Sequence, residues 1–65
     1  MFFLANQFLP ERNIPVILQY TKKGKPTVTT AICTDENRWI DTRIQRDITD
    51  NLKDAAWCNF FQPEN

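Results

Sequence analysis

The sequence predicts an all-β or α+β domain built on a small three- to four-stranded antiparallel sheet. Short runs rich in β-branched and aromatic residues, turn formers between them at close intervals, and a single glycine, Gly24, between two such runs predict it.

Residues 1–13 start apolar, Met1-Phe2-Phe3-Leu4-Ala5, and end in Leu9-Pro10-Glu11-Arg12-Asn13, where proline and asparagine mark a turn. They read as an N-terminal arm leading into the sheet. Residues 14–42 read as a three-stranded meander. Its first strand is Pro15-Val16-Ile17-Leu18-Gln19-Tyr20, with proline at the strand's first residue, where the missing N–H is tolerated. Thr21-Lys22-Lys23-Gly24-Lys25 reads as the hairpin tip, because glycine reaches positive φ without steric cost. Val28-Thr29-Thr30-Ala31-Ile32-Cys33 follows, with Val28, Thr30 and Ile32 on one face; the alternation is mild and predicts a face that is only partly dry. Asp35-Glu36-Asn37 turns the chain into Arg38-Trp39-Ile40-Asp41-Thr42, where Trp39 is expected to anchor the core.

Residues 43–55 carry Ile44, Ile48 and Leu52 at four-residue spacing, as on a helical face, yet Asp47, Thr49, Asp50 and Asn51 favour turns. A loop with one short helical turn near 48–55 is expected. Residues 56–61, Ala56-Trp57-Cys58-Asn59-Phe60-Phe61, read as a closing strand stopped by Pro63. No repeat or linker divides the chain, so residues 1–65 read as one small domain.

A chain of 65 residues buries only about 60% of its unfolded surface, so the core must be thin. The eight aromatics, Phe2, Phe3, Phe8, Tyr20, Trp39, Trp57, Phe60 and Phe61, are the expected core. Phenylalanines that do not fit it would form an exposed apolar patch at the chain ends. Eight acidic and eight basic residues cancel. That balance disfavours general affinity for nucleic acid, which needs an excess of Lys and Arg to displace counterions. The apolar start is too short for a signal or membrane segment, so the expected location is cytoplasmic, without membrane contact. Cys33 and Cys58 then read as reduced cysteines, with a bridge, redox pair or mixed metal site as the alternatives.

The chain has no histidine and no serine, which removes the commonest general base, the commonest metal ligand and the usual hydroxyl nucleophile. No phosphate-binding glycine loop is present. Asp47, Asp50 and Asp54 match no calcium loop, and with Arg43, Arg46 and Lys53 among them they read as an internally paired, solvated surface. The expectation is a protein that is not an enzyme and carries no cofactor, no metal and no catalytic residue. Its candidate partner contacts are the basic tip, Lys22, Lys23 and Lys25, and the exposed aromatics Phe60 and Phe61.

Leu9-Pro10-Glu11, the apolar run Val16-Ile17-Leu18-Gln19-Tyr20, Ala31 with Asp35 and Trp39, then Trp57 and Pro63-Glu64 follow one another in an order that resembles a family of short uncharacterised proteins of tailed bacteriophages and prophages. Phe2 or Phe3 stands where that family has a leading tryptophan, and Cys58-Asn59 where it has Met-Pro. The family has no established activity, so the resemblance implies a setting only: small accessory proteins of this kind often act by binding a host protein. The functional expectation is a phage or prophage protein that binds and modulates a host protein, inhibiting a bacterial defence complex, for example CRISPR-Cas or restriction, or a nucleic-acid-processing complex. Two alternatives are a small nucleic-acid-binding module using the basic hairpin, and a structural component that self-associates, in the simplest case as a homodimer.

Overall fold

The computed structural model describes residues 1–60. They form one antiparallel sheet of six strands: β1 (Phe3–Leu4), β2 (Val16–Lys22), β3 (Lys25–Cys33), β4 (Trp39–Asp41), β5 (Arg46–Asp47) and β6 (Ala56–Asn59), in the spatial order β1-β6-β2-β3-β4-β5. A single 3-10 turn, Thr49–Asn51, precedes β6. The fold class is the predicted one, and the two additional strands are each two residues long.

The β2–β3 hairpin is the longest ladder, pairing Val16 with Ala31 through to Lys22 with Lys25. The sequence places a five-residue tip over 21–25, but the ladder continues through it and leaves only Lys23 and Gly24 as the loop. Both have positive φ, 51° and 77°, as the twist-matched two-residue turn requires. The apolar pattern ends at Tyr20 while backbone pairing does not, because solvent-exposed ladder bonds need no dry side chains. Lys22 and Lys25 close the loop, so the next pair, Thr21 and Pro26, lies at a position where neither backbone nitrogen faces the other strand. Pro26 is tolerated there for that reason. Thr21 N–H accordingly donates sideways to the Lys53 carbonyl at 2.9 Å.

One face of the sheet is dry. Val16, Leu18 and Tyr20 of β2, Ala31 and Cys33 of β3, Trp39 of β4, Trp57 of β6 and Ile48 form its core, with Phe3, Ala5, Leu52 and Ala55 packed on them. The arm and the segment through the 3-10 turn supply that covering. β1 docks the arm on β6, Phe3 opposite Trp57 with ring centroids 4.9 Å apart. The Trp57 indole N–H donates to the Phe8 carbonyl at 2.9 Å, and Asn13 N–H donates to the Cys33 carbonyl at 2.8 Å. The arm is therefore fixed at both ends of its passage, and β6, the expected closing strand, pairs back onto β2 and lies between it and β1.

The expectation that the aromatics form the core needs correction, whereas the short helical turn expected within 43–55 and the reduced cysteines are present. Of the seven described aromatics Tyr20, Trp39 and Trp57 are buried, Phe3 is partly covered, and Phe2, Phe8 and Phe60 are exposed; Phe61 lies outside the described residues. The dry face has room for small residues on β3, and the larger Val28 and Ile32 point the other way, Val28 at 58% exposure. Within 43–55, Ile48 enters the core and Leu52 packs against it, but Ile44 is exposed in the β4–β5 turn, so the four-residue spacing is not one helical face. Cys33 faces the core and Cys58, opposite Ile17, the other side of the sheet, so their side chains diverge and a bridge would require rebuilding a strand.

Leu18 is completely buried at the centre of this thin core. Leu18→Ala is expected to lower unfolding free energy by about 2–5 kcal/mol, most of what a domain of this size has, and urea denaturation measures it. Lys23 holds a left-handed conformation that asparagine adopts more readily, so Lys23→Asn should raise the unfolding free energy by about 0.5 kcal/mol, read as a higher urea midpoint.

Candidate functional site

The predicted partner contacts do not converge. Lys22, Lys23 and Lys25 are exposed together at the hairpin tip. Phe60 follows β6 directly, next to Asn59, which pairs with Val16 at the far end of β2. Val16 and Lys22 stand at the two ends of the seven-residue β2, roughly 20 Å apart at about 3.3 Å per residue step. The tip and Phe60 therefore belong to different ends of the molecule, and Phe61 lies outside the described residues. Among the described residues no exposed aromatic side chain stands at the tip, whose cross-strand neighbours are Thr21, Pro26, Tyr20 and Thr27, with Tyr20 turned into the core.

Charge is sorted along the strands. The end holding Lys22, Lys23 and Lys25 also receives Lys53, whose carbonyl accepts the Thr21 N–H bond. The opposite end carries Glu11, Asp35 and Glu36, with Arg12 turned inward: its guanidinium donates to the Asn37 side chain at 2.6 Å and lies 3.2 Å from the Cys33 sulfur. Neutral overall composition thus conceals a basic end and an acidic end, a pattern that charge counting could not detect.

The surface that sequence reasoning missed is a cleft of about 620 Å³ on the covered side of the sheet. The arm forms one wall with Ala5 and Leu9, the segment after the 3-10 turn the other with Leu52 and Ala55, and Trp39 lies between them. Asn6, Asn37, Thr49 and the carboxylate of Asp54 supply polar groups in its lining. The arm crosses the core face as a loop and its carbonyls and N–H groups are held at only a few points, so the two walls do not close on each other. Exposed Phe8 and Leu9 stand on the arm side. The signal for this lay in the arm itself: Phe8-Leu9-Pro10 follows an apolar start, and its apolar residues exceed what the thin core holds.

The polar clusters in the rest of the fold have structural work. Asp41, 2% exposed, accepts hydrogen bonds from the Thr29 hydroxyl at 3.0 Å and from the Arg43 backbone N–H at 2.9 Å. Arg43 Nε donates to the same Thr29 hydroxyl at 2.8 Å, so the buried carboxylate is satisfied and the β4–β5 turn is tied to β3. Of the acidic residues expected to pair with Arg43, Arg46 and Lys53, Asp47 instead accepts from Arg38 Nε at 2.7 Å, and Asp50 lies 3.7 Å from the same guanidinium. Strand pairing decides this, because Arg38 is adjacent to β4 and β5 lies beside it. Asp47 also accepts the Thr49 N–H at 2.9 Å, which fixes the start of the 3-10 turn, while the Thr49 hydroxyl accepts the Trp39 N–H at 2.7 Å.

Among the described residues there is no group of three or more His, Cys, Asp or Glu side chains placed to hold a metal ion, and no helix long and apolar enough to cross a membrane. Comparison with models of protein families, with curated proteins and with solved structures returns no match in any of the three.

The Arg38 hydrogen bond, followed by those from Thr49, holds the Asp47 carboxyl at about 2, below its ordinary 3.8. A depressed carboxylate stabilises the fold above its unfolded pKa, and that contribution is lost as pH falls from about 3.8 through about 2. An NMR titration of the Asp47 carboxyl should place its midpoint near 2, and Arg38→Met should return it toward 3.8.

Proposed function

We propose that this chain is a binding protein without catalysis of its own, and that it engages a protein partner through the cleft and the exposed Phe8-Leu9 ridge of its arm. The cleft carries the reading. An open hollow of about 620 Å³ with Ala5, Leu9, Trp39, Leu52 and Ala55 in its walls and Asp54, Asn6, Asn37 and Thr49 around them suits an anchor side chain with an apolar body and a polar or basic end, and a concave site of this mixed kind favours a specific partner. Absence of histidine and serine from the chain supports a role in binding rather than in acid–base or acyl-transfer chemistry.

The resemblance to small tailed-phage and prophage proteins supplies the setting. In this reading the chain is an accessory protein acting in the host cytoplasm, its partner is a host protein, and the consequence of binding is inhibition of a defence complex, CRISPR-Cas or restriction, or of a nucleic-acid-processing complex. Among the described residues the basic tip has no neighbouring stacking platform, which favours the protein partner over single-stranded nucleic acid.

Affinity capture from a bacterial lysate is expected to recover one stoichiometric protein with the wild-type chain and with Lys23→Glu, and at least tenfold less with Leu9→Glu. Expressed in a strain with the matching defence system active, the wild-type chain should raise phage plating and Leu9→Glu should not. Recovery of nucleic acid instead, lost with Lys23→Glu and at raised salt, would replace this reading with the basic-hairpin module.

A further inference from the structure

The core side of the sheet is not covered throughout. Residues 48–55 leave the sheet after β5 and return beside β2, where the Lys53 carbonyl accepts the Thr21 N–H. They wall the arm cleft with Leu52 and Ala55 and leave the corner made by β3, β4 and β5 open on their other side. Strand register sets the charge of that corner. Val16, Leu18 and Tyr20 of β2 face the core, so Lys22 at the next alternate position points the same way, as does Lys25 opposite it. Arg46 stands opposite the buried Asp41 and shares its face. Arg43 reaches the same face, since its Nε donates to the Thr29 hydroxyl at 2.8 Å. All four cations are exposed.

None of the four is spent on an acid. Among the described residues the ion pairs are those of Arg38 with Asp47 and Asp50. The Asp41 carboxylate beneath the corner is 2% exposed and already accepts from the Thr29 hydroxyl and the Arg43 backbone N–H. Arg43 is the most informative of the four. Its Nε is held by the Thr29 hydroxyl, which Asp41 fixes in turn, while its two Nη groups have no hydrogen-bond partner among the described residues. A guanidinium oriented from behind in this way is pre-organised for a carboxylate, which takes two parallel N–H bonds from it.

We propose that this corner is the docking surface for an acidic segment of a protein partner, in which one carboxylate takes the Nη pair of Arg43 and others reach Lys25 and Lys22. The spacing fits. Lys25 and Thr29, on which Arg43 rests, are four steps apart along β3, roughly 13 Å at about 3.3 Å per residue. Alternate side chains of an extended segment recur about every 6.6 Å on one side, so two or three carboxylates span that distance. Charge favours a protein over nucleic acid. The chain is neutral overall, and the segment bordering the corner carries Asp50 and Asp54. A short acidic segment ends before those carboxylates, whereas the unbroken charge of a phosphate backbone runs on against them. Among the described residues no exposed aromatic stands in the corner for a base to stack on. The corner lies across the Leu52 wall from the cleft, so this inference does not depend on what the arm engages.

The probe is an extended acidic peptide, acetyl-(Glu-Thr)4-amide, titrated into the isotope-labelled chain and followed by NMR. The Arg43 Nε–H and the backbone amides of residues 25–29 are expected to shift, with a dissociation constant that rises at least about fivefold between about 50 and about 200 mM salt. The glutamine counterpart, acetyl-(Gln-Thr)4-amide, should leave them unmoved. Arg43→Gln should raise the constant about tenfold, and Arg43→Lys about fivefold, because the charge stays while the fork is lost. Lys25→Gln, at an exposed site, should raise it about threefold and guards against a folding defect. No shift at millimolar peptide, binding indifferent to both Arg43 variants, or tighter binding of a short DNA duplex through the same residues would overturn the assignment.

Discussion

A sheet has two faces, and about sixty residues drawn into six strands leave enough chain to cover one of them. Much of the molecule follows from that constraint. The arm and the segment through Thr49–Asn51 both fold to the same side, where they cover Leu18, Trp39 and Trp57. Trp57 is the point at which the covering is locked, because its ring packs on Phe3 while its N–H holds the Phe8 carbonyl. A tryptophan suits this place: it supplies a large apolar area toward the core and one polar atom at the boundary, where the arm's backbone needs a donor. Every remaining apolar side chain must then lie on the uncovered face, on the arm, or in a turn.

Where those side chains went was only partly legible in the sequence. The runs 15–20, 28–33 and 38–42 and the glycine between the first two mark the meander correctly, because β-branched runs and a positive-φ turn are local properties. β1 and β5 were not legible, since a two-residue strand such as Phe3–Leu4 or Arg46–Asp47 has no period of its own and exists through its partner. The same holds for the phenylalanines. Phe3 and Phe8 are similar residues in one segment, yet pairing of Phe3 with Trp57 puts the first against the core and leaves the second exposed.

The candidate surfaces show a parallel division. The lysine tip could be read directly, and it is where the hairpin sequence puts it. Its distance from Phe60, and its opposition to the acidic turn at Asp35-Glu36, are matters of strand direction and register. The cleft depends on two segments more than forty residues apart in the chain, Leu9 and Leu52 among them, so composition alone could not place it. Choice of face on β3 is the most instructive case: Val28 and Ile32 look like core residues and Ala31 and Cys33 like fillers, but Cys33 pairs with Trp39, whose bulk occupies the core and leaves room only for small neighbours.

The pairing of β1 with β6 joins the two ends of the chain, Phe3 against Trp57. The β2–β3 hairpin, by contrast, closes over a two-residue loop and needs no distant residue. Contacts of such different sequence separation form on different schedules, because closing a long loop costs chain entropy before it returns any contact. During synthesis the hairpin has all of its residues early, while the arm, although made first, has nothing to pack on until Trp57 has left the ribosome. Docking of the arm therefore depends on β6, and residues such as Phe3 are covered only when Trp57 is in place.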